Sequence, residues 1–187
     1  MNKTTNKNQS ANTPLSRGES LFRFVGRLGV RSIYDALQAV KDPEIPVISV
    51  VDMGIITGVE VDEKNNSAIV KMTPTFVGCP AINFMRDNVK KAVEQLGFDK
   101  VEVIVDFEKR WSSNLITETG RKQLEQFRLS PPPKHTGDVT NELLEHAKCP
   151  HCGSTNTTMN SPFGATLCRA LHFCFDCKQG FEQFKPV

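Results

Sequence analysis

The sequence predicts an α+β protein in which a small α/β layer domain precedes a C-terminal four-cysteine zinc ribbon. Helical and strand patterns alternate over residues 31–129, prolines and polar residues fill 130–140, and two Cys-x-x-Cys pairs lie within 141–187. A chain of 187 residues is long enough for one ordinary domain and a small satellite, but not for two full-sized cores. We therefore expect one main core, an exposed semi-rigid linker and a metal-stabilised C-terminal unit.

The α/β domain is predicted in the order helix, hairpin, helix, strand, helix. In RSIYDALQAVKD, the spacing of Ile33, Leu37 and Val40 places them on one face of a helix that ends before the prolines of KDPEIP. The runs VISVVDMGIITGVEVDE and SAIVKMT are rich in Val and Ile, and a Lys-Asn-Asn turn separates them. They predict an antiparallel hairpin.

After the loop PTFVGC, a second helix is predicted from Pro80 to about Leu96, with Gly97 as its C-terminal stop. KVEVIVDF then predicts a strand, and TETGRKQLEQF predicts a last helix after the loop that contains Trp111. Because a half-buried sheet needs cover on its apolar face, we expect the helices to lie on one face of the sheet.

The first 30 residues are predicted to form a disordered basic tail. Residues 1–31 hold six Lys or Arg against one acid, Glu19, and MNKTTNKNQSANTP has no aromatic residue and no periodicity. Such a composition also occurs in organelle transit peptides and in weak anion-binding arms. No apolar run approaches the roughly 18 residues of a membrane span, and no secretory h-region is visible. We expect a cytoplasmic protein without a membrane partner.

Two cysteine pairs predict a metal site: Cys149 with Cys152 in CPHC, and Cys174 with Cys177 in CFDC, with 21 residues between the pairs. Two soft thiolates on one tight turn can bind one ion, and two such turns close a tetrahedral zinc site. Four thiolates leave no open position for a water nucleophile, so the zinc is predicted to be structural. In so small a unit it would supply much of the folding free energy.

The ribbon leaves alternatives open at this level. The same four thiolates could hold a single iron or a two-iron cluster instead of zinc. Cys168 is the spare cysteine, either a small buried residue on a strand or a secondary thiol with a redox or ligand-exchange role. His151 and His172 lie nearby in the sequence, but neither is assigned to the metal because four cysteines already suffice.

The remaining cysteine, Cys79, precedes Pro80, the first position predicted for the second helix. A helix N-terminus stabilises a thiolate and raises its reactivity, although a cysteine there can also be simply buried. Four polar residues in nearby loops are further candidates for the same site: Asp42, Glu44, Thr73 and Thr75. Taken singly, each could equally stabilise its own loop.

The segments KDPEIPVISVVDMGII and TPTFVGCPA together resemble the small domain of SufT-like iron–sulfur assembly proteins. The continuation FEKRWSSNLITETGRKQLEQFRLSPPP and the ribbon resemble the PaaD family, the fourth component named with the bacterial phenylacetyl-CoA epoxidase system. The resemblance runs from about residue 31 to the end and leaves the tail without a counterpart. It implies a role in aerobic phenylacetate degradation, in which this component helps to build or maintain a metal centre of the multicomponent monooxygenase.

The family pattern falls on the candidate residues already singled out: Asp42, Glu44, Thr73, Thr75, Cys79 and the ribbon cysteines including Cys168. The resemblance implies that Cys79 transiently holds iron or an iron–sulfur cluster with Asp42 and Glu44 nearby. It also implies partners, namely other subunits of the epoxidase system or another iron-dependent client.

The chain itself lacks the signatures of a catalytic subunit. A diiron oxygenase needs Glu-x-x-His pairs on long helices, and none of the four histidines has a glutamate three positions before it. A reductase would need a nucleotide-binding fold and a CxxxxCxxC cluster, and neither pattern occurs. Whether the chain is an enzyme stays open, and our interpretation is an accessory or maturation role.

Two rival functions would use the same cysteines. The main alternative is a ribbon that binds nucleic acid or docks on proteins. Residues 149–187 carry three Lys or Arg against two acids, and this near-neutral balance disfavours nucleic acid as a partner. A thiol oxidoreductase would need one redox Cys-x-x-Cys at a helix start rather than two matched pairs.

Overall fold

The computed structural model describes residues 29–187 and has the predicted α+β class. The tail predicted for residues 1–30 lies outside the described residues except for its last two. Within residues 29–187, no helix is long and apolar enough to cross a membrane. In chain order the elements are α1 (Val30–Leu37), β1 (Ile56–Asp62), β2 (Ser67–Met72), α2 (Ile82–Glu94), β3 (Lys100–Val105), a 3₁₀ turn (Ser113–Leu115), α3 (Glu118–Gln126), β4 (Leu129–Ser130), α4 (Asn141–Glu145), β5 (Thr157–Ser161), β6 (Arg169–Cys174) and β7 (Gly180–Phe184).

The first sheet has the strand order β1-β2-β3. Strands β1 and β2 form the predicted antiparallel hairpin, and Asn66 in their turn has a φ of 44°. Strand β3 runs parallel to β2, so the chain must cross over between them, and α2 makes this connection. Alternate residues of β2 are buried in the same cluster as the apolar faces of α1 and α2.

Residues 47–55 differ from the prediction of a strand beginning at Val47. They form turns, and β1 begins only at Ile56. The Ser49 hydroxyl accepts from the Asp52 N–H at 2.9 Å and donates to the Asp52 carboxylate at 2.9 Å, which closes the chain on itself. A continuous apolar run has no period of two, so its composition could not separate a buried turn from a buried strand.

The second sheet has the order β4-β7-β6-β5 and contains the ribbon. Strand β4 pairs in parallel with β7, with Leu129 opposite Glu182 and Ser130 opposite Gln183. Ser130 and Pro132 are buried, so the prediction that residues 130–140 form an exposed linker is wrong at the start of this segment. Proline composition indicates stiffness, but it does not show what the prolines pack against. The domain boundary within 130–140 stays a prediction.

One hydrophobic core joins the ribbon to the α/β domain. Phe184 of β7 belongs to the same buried cluster as α1, α2 and the first sheet. Its ring meets that of Trp111 edge-on, with 5.9 Å between centroids, and the Trp111 indole N–H donates to the carbonyl of Met53 at 3.1 Å. This shared core fixes how the ribbon lies against the loops that follow α1 and precede α2.

Candidate functional site

The four ribbon cysteines converge on one point. Their sulfur atoms all lie within 4.8 Å of one another. The Sγ atoms of Cys149 and Cys177 are 3.7 Å apart, and those of Cys152 and Cys174 are 3.6 Å apart. Zn–S bonds of about 2.3 Å in a tetrahedron separate the sulfurs by about 3.8 Å. The donor set and its spacing therefore fit one zinc ion, which would cross-link the two turns.

Each cysteine pair sits on the same kind of turn. The Gly153 N–H donates to the carbonyl of Cys149 at 2.9 Å, and the Lys178 N–H donates to that of Cys174 at 3.0 Å. Both donors have a positive φ, 77° for Gly153 and 59° for Lys178. The two turns are also joined through Asp176, whose carboxylate accepts from the side chains of Ser154 and Asn156.

The pKa values of Cys174 and Cys177 are shifted in opposite directions. Backbone N–H groups of Cys177 and Asp176 lower the pKa of Cys174 to about 7. Burial and the neighbouring thiols raise the pKa of Cys177. Four thiolates this close repel one another, so a cation among them is needed for all four to ionise together.

A second feature is a cavity of about 380 Å³ between the α/β domain and the ribbon. The α/β domain contributes Asp42, Glu44, Thr75 and Cys79 to its walls, and the ribbon contributes Cys168. Five of the six residues predicted outside the zinc site thus face one space. Thr73 does not line it, because its side chain is buried and its hydroxyl donates to the carbonyl of Lys109 at 2.6 Å.

The loop after α1 holds the two carboxyl groups in place. The Asp42 carboxylate accepts from the N–H groups of Glu44 at 2.7 Å and Ile45 at 3.0 Å. Burial raises the pKa of Asp42 although these N–H groups and Arg169 oppose it. Burial also raises the pKa of Glu44, and the charge of Asp42 raises it further. A bound cation would favour the ionised form of both groups.

Cys79 is half-buried, and its surroundings correct one part of the prediction. Helix α2 begins at Ile82 with Ala81 as its N-cap, so Pro80 is not the first helical residue. Burial raises the pKa of Cys79, and the Ala81 N–H opposes this rise without cancelling it. The charges of Asp42, Glu44 and Cys168 raise that pKa further. Of the two alternatives that the sequence left open, the raised pKa favours a buried thiol over a thiolate activated by the helix N-terminus alone.

Arg169, next to Cys168 at the start of β6, ties the ribbon to the cavity. Its guanidinium donates to the carbonyl of Glu44 at 2.7 Å and to the carboxylate of Glu182 at 2.9 Å. Glu182 in turn accepts from the N–H of Ala165 at 2.7 Å, which anchors the ribbon loop that lines the cavity. Sequence reasoning missed this role, because nothing in the local sequence indicates that Arg169 reaches a carbonyl 125 positions away.

We expect Arg169→Ala to lower the free energy of unfolding by about 3 kcal/mol. The substitution leaves the Glu182 carboxylate without its cation and the backbone carbonyl of Glu44 without its hydrogen-bond donor. Urea denaturation measures this loss. Lys71→Ala is the matched control, since the Lys71–Glu60 pair has side chains 44% and 60% exposed, against 9% and 23% for Arg169–Glu182. We expect the control to cost under about 1 kcal/mol. If the two variants lost equal free energy of unfolding, Arg169 would not be stabilising the contact between the ribbon and the α/β domain.

The cavity differs from the four-cysteine site in the spacing of its ligand atoms. Among residues 29–187, the ribbon cysteines are the one group of three or more His, Cys, Asp or Glu whose ligand atoms lie within 4.8 Å of one another. The thiols and carboxyls of the cavity therefore do not close around a single ion in this arrangement. They surround a space that is open to a larger group or to the side chains of a partner.

Comparison with known proteins gives two family matches. Residues 31–105 match the family described as iron–sulfur cluster assembly protein, and residues 133–185 match the PaaD zinc beta ribbon domain. The cavity is lined from both of these ranges.

Relatives of the whole chain and of its first domain are known. A protein of Escherichia coli K12 named as a putative 1,2-phenylacetyl-CoA epoxidase component is 33% identical over 84% of this chain and 93% of its own length. An Fe–S protein maturation auxiliary factor of Porphyromonas gingivalis is 36% identical over 47% of this chain and 83% of its own length. A crystal structure of a domain of unknown function from Bacillus anthracis is 30% identical, covers 50% of this chain and 89% of its own, and has a TM-score of 0.47.

Proposed function

The chain belongs to the PaaD family, and we propose that it is an accessory, maturation component of the multicomponent phenylacetyl-CoA monooxygenase, the 1,2-epoxidase of aerobic phenylacetate degradation. In this proposal it assists the assembly of an iron or iron–sulfur centre in a partner protein of that system. The cargo is held by the first domain, which spans residues 31–129. The segment 130–140 connects this domain to the ribbon, which spans residues 141–187. The proposal includes a cytoplasmic location, because free thiols of this kind need a reducing compartment.

The observation that carries the proposal is the cavity itself. It brings the thiol of Cys79 together with the carboxyls of Asp42 and Glu44, which are the ligand types that iron accepts. The ligands line a space without closing around one ion, so coordination positions stay available to an acceptor. A site that loads and releases cargo needs this property, whereas a resident centre needs a complete ligand set.

Transfer from such a site is a ligand exchange. An iron–sulfur bond to Cys79 breaks as a thiol or carboxylic acid group of the partner loses its proton and binds the iron. The proton of the incoming group passes to the leaving Cys79 thiolate, and no electron is gained or lost. Burial raises the pKa of Cys79, so the thiolate released from iron readily takes up this proton and becomes a thiol again.

The ribbon has a separate role in this proposal. Four cysteines fill the coordination of zinc and leave no position for substrate, so the zinc holds the two turns together and takes no part in transfer. By fixing β6 and β7, the metal positions Cys168, Arg169 and Phe184 against the first domain.

The test uses a host that produces the other epoxidase components and lacks this protein. We expect Cys79→Ser to leave the partner with the low iron content found without any maturation component, because the cargo loses its thiolate ligand. Metal analysis of the purified partner measures the iron per chain. Asn83→Ala, at an exposed position of α2, is the control and restores full iron content. A partner that is fully loaded in the presence of Cys79→Ser would overturn the proposal.

A further inference from the structure

We propose that Cys79 and Cys168 are the paired thiolate ligands of one cargo site that spans the two domains, and that the cargo is an iron–sulfur cluster rather than a single iron ion. The inference rests on the proposed function and adds to it a second ligand, supplied by the ribbon. The ribbon is then not only a docking or stabilising unit, because it carries half of the cargo's protein ligands.

The first observation is the position of the two thiols. The chain has six cysteines, and four of them fill the zinc site, so Cys79 and Cys168 are the two that remain. They come from sequence positions far apart, yet both line the same cavity and both pack against the same core. Neither takes part in a disulfide.

The second observation is the support around Cys168. Its carbonyl accepts from the Lys185 N–H at 2.9 Å, which continues the pairing between β6 and β7 beyond the strand ends. The neighbouring Arg169 reaches the carbonyl of Glu44 on the opposite wall. The thiol lies 3.0 Å from the hydroxyl of Thr166, close enough for a hydrogen bond to its sulfur. These contacts fix the backbone on both sides of Cys168, at a position where the residue lines the cavity.

The third observation is the spacing of the ligand atoms. Among the described residues, Cys79 and Cys168 belong to no group of three or more His, Cys, Asp or Glu whose ligand atoms lie within 4.8 Å of one another. In a two-iron cluster the irons are bridged by sulfides and take four protein ligands in all. Two thiolates across a cavity of about 380 Å³ supply half of that set. The other half is left for an acceptor protein.

The residues at the edge of the cavity are consistent with a site that an acceptor protein has to reach. Phe163 and Leu167 of the ribbon lie on its rim and are 65% and 49% exposed. An apolar rim around a thiol pair excludes water from the cargo while leaving a surface that an acceptor can cover. Asp42 and Glu44 lie on the wall opposite the ribbon, where they can bind iron as the thiolates release it.

The test is anaerobic reconstitution of the full chain, in its zinc form, with ferrous iron and inorganic sulfide. The readouts are iron and acid-labile sulfide per chain and the sulfide-to-iron charge-transfer absorption, measured after removal of unbound reagents. We expect the wild-type chain to retain a cluster and Cys79→Ser to retain none. We expect Cys168→Ser and Cys168→Ala to retain at least about tenfold less than wild type. Ferrous iron without sulfide should not be retained by any variant.

Controls separate loss of a ligand from loss of the fold. Leu171→Ala truncates an exposed side chain of β6 that does not line the cavity, and we expect it to retain the cluster as wild type does. Every variant must keep one zinc per chain and its thermal unfolding midpoint. Retention by both Cys168 variants with loss only in Cys79→Ser would overturn this inference and leave the proposed function standing. A wild-type chain that retains no iron with or without sulfide would overturn both, and equal retention of iron without sulfide would overturn the assignment of a cluster.

Discussion

Removing zinc is expected to unfold the ribbon and to dismantle the cavity with it. Structural zinc bound to cysteines contributes about 10–16 kcal/mol of apparent binding free energy near pH 7. That is as large as the roughly 5–15 kcal/mol by which an ordinary domain is stable. Apart from Phe181 and Ala147, the buried cluster at the zinc end consists of the cysteines themselves, so little apolar packing can replace the metal.

Cys174→Ser is the variant of choice for this prediction, because Cys174 begins the second cysteine turn and is fully buried. We expect it to lose the zinc and to expose the amides of β5, β6 and β7 to hydrogen exchange. Cys168→Ser is the control, since it changes a ribbon cysteine outside the metal site and should keep one zinc per chain. Normal zinc content and protected strands in Cys174→Ser would contradict the four-cysteine assignment.

Truncating Phe184 is expected to have the next largest effect. The ring is 1% exposed, packs edge-on against Trp111 and lines the cavity, although it belongs to the last strand of the ribbon. Phe184→Ala removes a fully buried aromatic ring, and we expect the free energy of unfolding to fall by about 3–5 kcal/mol. Chemical denaturation followed by tryptophan fluorescence measures this directly, because Trp111 is the only tryptophan of the chain.

Two matched substitutions sharpen this prediction. Phe184→Leu keeps an apolar side chain and should cost under about 1.5 kcal/mol. Phe175→Ala removes the same ring from a position that is 45% exposed, and its effect should be small. If Phe184→Ala and Phe175→Ala had equal effects, the ribbon and the α/β domain would not share a core in solution.

The parts of the molecule that sequence predicted best depend on local spacing. The cysteines of the predicted zinc site are separated by two residues within each pair, and any turn that presents two sulfurs on one side fixes their geometry. The hairpin turn at Asn66, the stop at Gly97 and the apolar faces of α1 and α2 are local in the same way. The structure has each of these features.

The parts that sequence could not predict depend on how distant segments pack. The sequence positions of Cys79 and Cys168 do not show that both residues line one cavity. The two are brought together by the burial of Phe184 in the shared core and by the hydrogen bond from Arg169 to the carbonyl of Glu44. Thr73 matched the family pattern as well as Thr75 does, yet only Thr75 lines the cavity. The start of the proline segment was predicted to be exposed, but the pairing of β4 with β7 draws it against the fold.

The central claim is that this chain delivers iron to a partner through Cys79. The most direct test is anaerobic transfer of isotopically labelled iron from the purified, cluster-loaded chain to the iron-free reductase component, which is the component expected to carry a cysteine-bound cluster, followed by metal analysis of the separated proteins. We predict that labelled iron moves from the wild-type chain to the partner while the zinc stays in the ribbon, and that the Cys79→Ser chain delivers none. Equal loading of the partner by wild type, by Cys79→Ser and by free iron alone would contradict the claim.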